Sequence, residues 1–266
     1  MFGQIVSAMS TDRMPVGFIG HGNPMNVVME GRAEPWRRWA RSLPTPKAVL
    51  TVSAHWEDAP VTIGRTRDHT ELLYDFWGFP EFMYRIRYPA PGAPALADRV
   101  EALLAPHLSV ARADRAIDHG AWCPLIHLFP EADVPVLQIS MPMDLSERAL
   151  VALGAELSPL RDEGVFILAT GNLVHDLRHA NLAADPEPPP YAEAFDAWVA
   201  SALERGDGAA LESWREAAPD ALRSHPSAEH YRPILVAAGA ARGDQARFPV
   251  EGFEHGTISR RCVVLD

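Results

Sequence analysis

Four short apolar runs punctuate the chain and end in turn-forming or histidine-bearing residues. They are Val16–Gly20, Ala48–Ser53, 134–141 and 165–170. Continuous apolar runs of this length, rich in β-branched residues, predict strands covered on both faces. Between and after them the apolar positions recur at helical spacing. This predicts helices over 93–104, 146–160, 191–204, 209–217 and 231–241, with Ser146 as the N-cap of the second. Strand and helix alternate, so the expected class is α/β: a single domain with a central, mostly parallel or mixed sheet flanked by helices. The stretch 185–190 (DPEPPP) reads as an exposed loop, not a linker, because site-like residues continue beyond it. The reading is therefore one catalytic domain over 1–266.

Composition adds exclusions. The chain has 266 residues, 24 Lys plus Arg against 35 Asp plus Glu, and a formal charge of -11. Phosphate binding needs clustered Lys and Arg, so nucleic acid and anionic membrane surfaces are not expected partners. Two cysteines, Cys123 and Cys262, make neither a disulfide framework nor a four-cysteine zinc site. No run of about 18 apolar residues predicts a membrane span. The opening MFGQIVSAMSTDRM lacks the basic and apolar regions of a secretory signal, so the expected location is the cytoplasm.

The eleven histidines change the picture most. His21 and His55 each follow a predicted strand directly, and His175 follows a third by a few residues. In α/β sheets the loops after strand carboxyl ends gather at one edge, and sites form there. A single histidine at such a place is more often structural. Three delivered to one edge are what a metal site needs, with a carboxylate or further imidazole to complete it. Two other segments carry candidates: Asp118-His119-Gly120-Ala121-Trp122, and His225-Pro226 followed by Glu229-His230. Gly22, Gly120 and Gly171 lie beside these histidines, where a close backbone approach or positive φ is useful.

Taken in order, His21-Gly22-Asn23-Pro24, Ser53-Ala54-His55-Trp56, Asp118-His119-Gly120 with Trp122, Gly171-Asn172 with His175, and His225-Pro226 with Glu229-His230 resemble the class III extradiol ring-cleavage dioxygenases. The match is to the DOPA 4,5-dioxygenase type, related to the protocatechuate 4,5-dioxygenase catalytic subunit. The block Tyr74-Asp75-Phe76-Trp77-Gly78-Phe79-Pro80 and the following Tyr88-Pro89-Ala90-Pro91-Gly92 also resemble that branch. The resemblance implies a non-heme Fe(II) site in an α/β fold, acting on a small catechol with O2 to give a ring-opened semialdehyde. Zinc is a possible occupant of the isolated protein.

By motif position the resemblance makes His21 and His55 the first two ligands. It makes His230 the third, in preference to Glu229. It gives His175 the acid/base role or a fourth ligand position, and turns His119 toward the substrate. Trp56, Trp122 and Asn172 are expected to contact the substrate, with Trp77, Phe79 and Tyr88 as further lining and Arg178 or Arg232 as partners for a substrate carboxylate. Two positions depart from the branch: Asn23 stands where Ser or Gly is commoner, and Asp176 where Asn is. The Asp176 carboxylate is expected to raise the pKa of His175. A zinc hydrolase and a non-catalytic binding protein of the same fold are the competing readings. Oligomeric state is left open.

Overall fold

All four apolar runs form strands, and their alternate residues feed two separate cores. The structure, a computed structural model, describes residues 13–266. Most of the opening segment, with its expected lack of a signal, therefore lies outside the described residues. In chain order the elements are β1 (Val16–Gly20), α1 (Glu30–Ala40), β2 (Ala48–Ser53), β3 (Val61–Ile63), α2 (Pro94–Leu104), β4 (Val110–Arg112), α3 (His119–Leu128), β5 (Val136–Ile139), α4 (Glu147–Leu157) and α5 (Pro159–Asp162). They continue as β6 (Val165–Gly171), α6 (Pro190–Glu204), α7 (Gly208–Glu212), α8 (Trp214–Ala217), α9 (Ala221–Ser224), α10 (Pro233–Ala241), β7 (Ala246–Val250), β8 (Phe253–Glu254), β9 (Ile258–Ser259) and β10 (Cys262–Leu265).

The main sheet has eight strands in the order β4-β3-β5-β2-β6-β1-β10-β7. Its centre, β5-β2-β6-β1, is parallel. β10 runs antiparallel to β1, and β3 antiparallel to β5, so the sheet is mixed. Side chains alternate across a strand. On β6, Val165, Ile167 and Ala169 pack into the core under α2, α4, α6 and α10. Phe166 and Leu168 of the same strand pack with Trp36 and Trp39 of α1 and Leu125 of α3 on the opposite face. Both faces are covered, which explains the uninterrupted apolar runs. The result is a single α/β domain of the expected class.

The expected helices form with small changes at their ends. The stretch 209–217 splits into α7 and α8 at Ser213, and Pro190 opens α6 so that the loop ends one residue earlier than expected. Ser146 caps α4 through its hydroxyl, which accepts from the Ala149 amide. Three helices were not expected: α1, α3 and the short α9. α1 buries Ala33, Trp36 and Trp39 at three-residue spacing within a charged segment. α3 begins inside the Asp118-His119 motif, where the Asp118 carboxylate accepts from the Ala121 amide. Both cysteines are buried and free. No helix among the described residues is long and apolar enough to cross a membrane.

Candidate metal centre

Strand register alone brings three histidine-bearing turns together. Gly20 pairs with Gly171, and Ser53 pairs with Thr170, all in parallel strands. The carboxyl ends of β1, β2 and β6 are therefore level, and His21, His55 and His175 leave them on one edge. His119 enters at the first residue of α3. His230 precedes α10, and its carbonyl accepts from the Asn172 amide just beyond β6.

The imidazoles converge. His21 Nε2 and His55 Nε2 are 3.2 Å apart. The His230 ring centroid lies 5.3 Å from that of His21 and 5.0 Å from that of His55. One nitrogen from each of His21, His55 and His230 fits within 4.8 Å of the others. Metal–imidazole bonds of about 2.0–2.1 Å place neighbouring ligand atoms roughly 3–3.5 Å apart, so the spacing suits a shared ion. His119 lies 4.1 Å from His55 by ring centroids, and His175 stacks on His230 at 3.5 Å with planes 13° apart.

The opposite ring nitrogens fix the tautomers. The Thr170 hydroxyl donates to the Gly120 carbonyl at 2.6 Å, so its oxygen accepts from His21 Nδ1 at 2.8 Å. Glu229 Oε1 lies 3.1 Å from His230 Nδ1 and also accepts from the Ser227 hydroxyl at 3.0 Å. One Asp75 oxygen accepts from His119 Nδ1 at 2.9 Å, and the other lies 3.4 Å from His55 Nδ1. A carboxylate only accepts, so Nδ1 of His119 and Nδ1 of His230 carry the hydrogen and their Nε2 atoms keep a lone pair. Nε2 of His21 and Nε2 of His55 lie 3.2 Å apart, close enough for one to donate to the other. A cation between them would displace that hydrogen and bind both, and nitrogen donors with carboxylates nearby suit a divalent transition metal.

The electrostatics agree. Burial, followed by the charges of neighbouring imidazoles, lowers His21 and His230 well below the ordinary histidine range. Burial and His119 lower His55 to about 4, against the pull of nearby carboxylates. The imidazoles are thus neutral at pH 7, the form that ligates. Burial also takes His175 to about 4; Asp176 pushes it upward as expected, but burial wins. Burial by itself would raise Asp75, yet the His119 ring N–H and the charges of His119 and His55 hold it at about 2.

Some expected substrate contacts turn out to be packing. Trp122 has no exposed surface, and its indole N–H donates to the Leu73 carbonyl at 3.0 Å. Trp56 is buried under the Arg115 guanidinium, which sits 4.6 Å from its ring. Asn172 is buried, with its amide group donating to the Ser259 carbonyl at 2.9 Å. The Trp122 indole and the Asn172 amide nitrogen are thus turned to backbone carbonyls on neighbouring segments. Tyr88 is buried likewise, Phe79 is half-buried, and Trp77 is 86% exposed. Arg232 is buried and spends its guanidinium on the Pro142 and Leu145 carbonyls and on Glu57. The Arg178 side chain is exposed beside Asp176.

The departures from the family pattern also find partners. Asn23 caps the turn after His21, its side chain accepting from the Met25 amide at 2.9 Å. Buried Glu254 accepts from the Asn23 amide and, at 2.8 Å, from the Asn26 side chain. Asp176 accepts from the Tyr191 hydroxyl at 2.8 Å and from His179 at 2.7 Å. Sequence reasoning gave no role to Thr170, Asp75 or Glu254. Asp75 was visible only as a letter in an aromatic block; Thr170 and Glu254 had no signal beyond polarity near apolar runs.

Two glycines are obligatory here. Gly22 adopts φ +60°, and a Cβ there would lie 2.2 Å from Glu254 Oε1. A Cβ on Gly171 would lie 2.2 Å from the His230 carbonyl oxygen, a backbone atom that cannot swing away. Gly171→Ala is therefore expected to push the His230 segment off β6. Zinc affinity, measured by chelator competition, should fall by about 10-fold or more, comparable to losing a partner that orients a ligand. Unchanged affinity would contradict the described contact.

Comparison with known proteins gives the geometry a context. A family model described as the catalytic LigB subunit of aromatic ring-opening dioxygenase matches residues 18–265. A 4,5-DOPA dioxygenase extradiol of Escherichia coli K12 is 38% identical over 265 residues, covering 97% of this chain and 96% of the relative. One from Beta vulgaris is 39% identical over 232 residues, covering 84% and 85%. The crystal structure of an uncharacterized protein from Escherichia coli K12 superposes with a TM-score of 0.82 at 36% identity, covering 96% of this chain and all of that one. The chain belongs to the LigB family of aromatic ring-opening dioxygenases.

Proposed function

We propose that this enzyme is a non-heme Fe(II)-dependent extradiol dioxygenase that opens the ring of a catechol-type, DOPA-like substrate with O2. The observation that carries the reading is the meeting of His21, His55 and His230 nitrogens within 4.8 Å, with Nδ1 of His21 and of His230 hydrogen-bonded to Thr170 and Glu229. The catechol and its DOPA-like substituent are suggested by the relatives named 4,5-DOPA dioxygenase extradiol.

In this reading His21, His55 and His230 hold the ion. Glu229 orients His230 and does not ligate, because its Oε1 is engaged by His230 Nδ1 and Ser227. Iron bound there supplies a template, Lewis acidity and electron transfer between the diol and dioxygen. His119 presents Nε2 as an acceptor for one substrate hydroxyl, since Asp75 holds its Nδ1 hydrogen. His175 starts unprotonated at pH 7 because burial lowers its pKa to about 4. It takes the proton of the other hydroxyl and returns it to an oxygen as the ring opens. Both atoms of O2 end in a ring-opened semialdehyde. Stacked on His230, the His175 imidazole lies against the proposed ligand set. Its role is acid/base rather than ligation.

Anaerobically Fe(II)-loaded protein, given a catechol and then air, is expected to take up one O2 per catechol and form a yellow product. Zinc-loaded protein should take up none. Ester or amide hydrolysis by the zinc form, with no O2 uptake by the iron form, would favour a hydrolase and overturn the proposal. Zinc in purified protein alone would not, because zinc competes strongly for nitrogen sites.

A further inference from the structure

We infer that Asp75 is the positioning residue that couples the metal set to the substrate-facing imidazole, holding His55 and His119 at once through its two carboxylate oxygens. The inference rests on the proposed ligand set above. It begins with where Asp75 comes from. The segment between β3 and α2 has no long regular element, yet it is pinned on both sides of Asp75. The Leu73 amide donates to the Ile117 carbonyl at 2.9 Å, and the Leu73 carbonyl accepts from the Trp122 indole at 3.0 Å. Beyond Asp75, the Phe76 ring packs edge-on against His119 with centroids 5.5 Å apart. The carboxylate is therefore delivered by a braced loop rather than a free one.

Its two oxygens face different rings. Oδ1 accepts twice from His119, from the backbone amide at 3.0 Å and from ring Nδ1 at 2.9 Å. That fixes both the start of α3 and the ring plane. Oδ2 faces His55 Nδ1 at 3.4 Å. The other buried carboxylate nearby, Asp118, accepts from the Gln138 side chain, Arg115 and the Ala121 amide and makes no hydrogen bond to either ring. Asp75 is thus the acceptor through which His55 and His119 are both set with Nε2 inward. A neutral imidazole without such an acceptor exchanges its two tautomers or rotates, and in either case a hydrogen replaces the lone pair at Nε2 in part of the population. One side chain then governs two properties usually held by separate residues: the affinity for the ion and the acceptor that meets the substrate hydroxyl.

The test compares Asp75→Asn, Asp75→Glu and the parent protein. Asparagine keeps the size, but only one of its two side-chain groups can accept. Imidazole tautomers are read in metal-free protein by two-bond 1H–15N correlation, and Zn(II) affinity by chelator competition. Neither readout needs ring cleavage. Asp75→Asn is expected to mix the His119 and His55 tautomers and weaken Zn(II) binding by about 10- to 100-fold. In the iron enzyme it should lower kcat more than it raises KM. Asp75→Glu should restore part of both. If Asp75→Asn does not fold, Trp122→Phe takes its place. It removes the indole N–H that braces Leu73 along with part of a buried ring, and should give the same tautomer mixing with a smaller loss of affinity. Unmixed tautomers and unchanged Zn(II) affinity in the folded variant would overturn the role of Asp75. A parent protein that binds no Zn(II) would instead sink the ligand set, while the tautomer measurement would still decide whether Asp75 sets the two rings.

Discussion

His55→Ala is expected to abolish binding of one equivalent of Fe(II) or Zn(II) at micromolar protein, as read by metal analysis after gel filtration. Three imidazoles are the proposed ligands, and His55 is central among them: its Nε2 is 3.2 Å from that of His21, and its ring is 5.0 Å from that of His230. Losing a partner that merely orients a ligand costs about 10- to 100-fold in affinity. Losing a ligand outright should cost more than that. The variant should still fold. Removing the ring leaves no large void, because the His55 side chain is only partly buried. Its backbone is untouched, so β2 and its pairing to β5 and β6 persist. Full metal occupancy in a folded His55→Ala protein would remove His55 from the ligand set.

His175→Ala is expected to behave in the opposite way, keeping the ion and losing turnover by about 10²-fold or more, the range of general acid/base catalysis. The ring stacks on His230 at 3.5 Å without serving as its hydrogen-bond partner, a task that falls to Glu229. Truncation therefore removes a proton carrier and leaves His230 oriented. KM should change far less than kcat, since the diol is held by the ion and by His119. A variant with full turnover would overturn the acid/base assignment. One that loses metal together with activity would make His175 a ligand.

Much of this arrangement was legible before any coordinates, and the reason is periodicity. β1 and β2 run over the residues expected, because a strand covered on both faces writes itself as an unbroken apolar run. The histidines after those runs follow from the parallel register that levels the strand ends. The illegible parts are long-range or edge features. β10 lies far from β1 in sequence, yet its antiparallel pairing is what makes the sheet mixed. α3 is apolar on nearly every side, so no amphipathic stripe betrays it. The supports of the metal centre are harder still. Asp75 meets His119 across 44 residues, and Thr170 meets His21 across 149. No local pattern records such pairs.

The same logic bears on the expected substrate contacts. Trp56, Trp122 and Asn172 sit beside site histidines in sequence, which made them look like lining. Proximity in sequence does not fix direction. The Trp122 indole turns to the Leu73 carbonyl, and the Asn172 amide to the Ser259 carbonyl. Trp122 still matters to the site, but by bracing the loop that carries Asp75.

The most direct measurement is an anomalous-difference map at the iron edge from crystals loaded anaerobically with Fe(II). One peak is expected, about 2.0–2.2 Å from Nε2 of His21, His55 and His230, with Glu229 still bonded to His230 Nδ1. A peak held by Glu229 in place of His230, or none among these three imidazoles, would contradict the proposed centre.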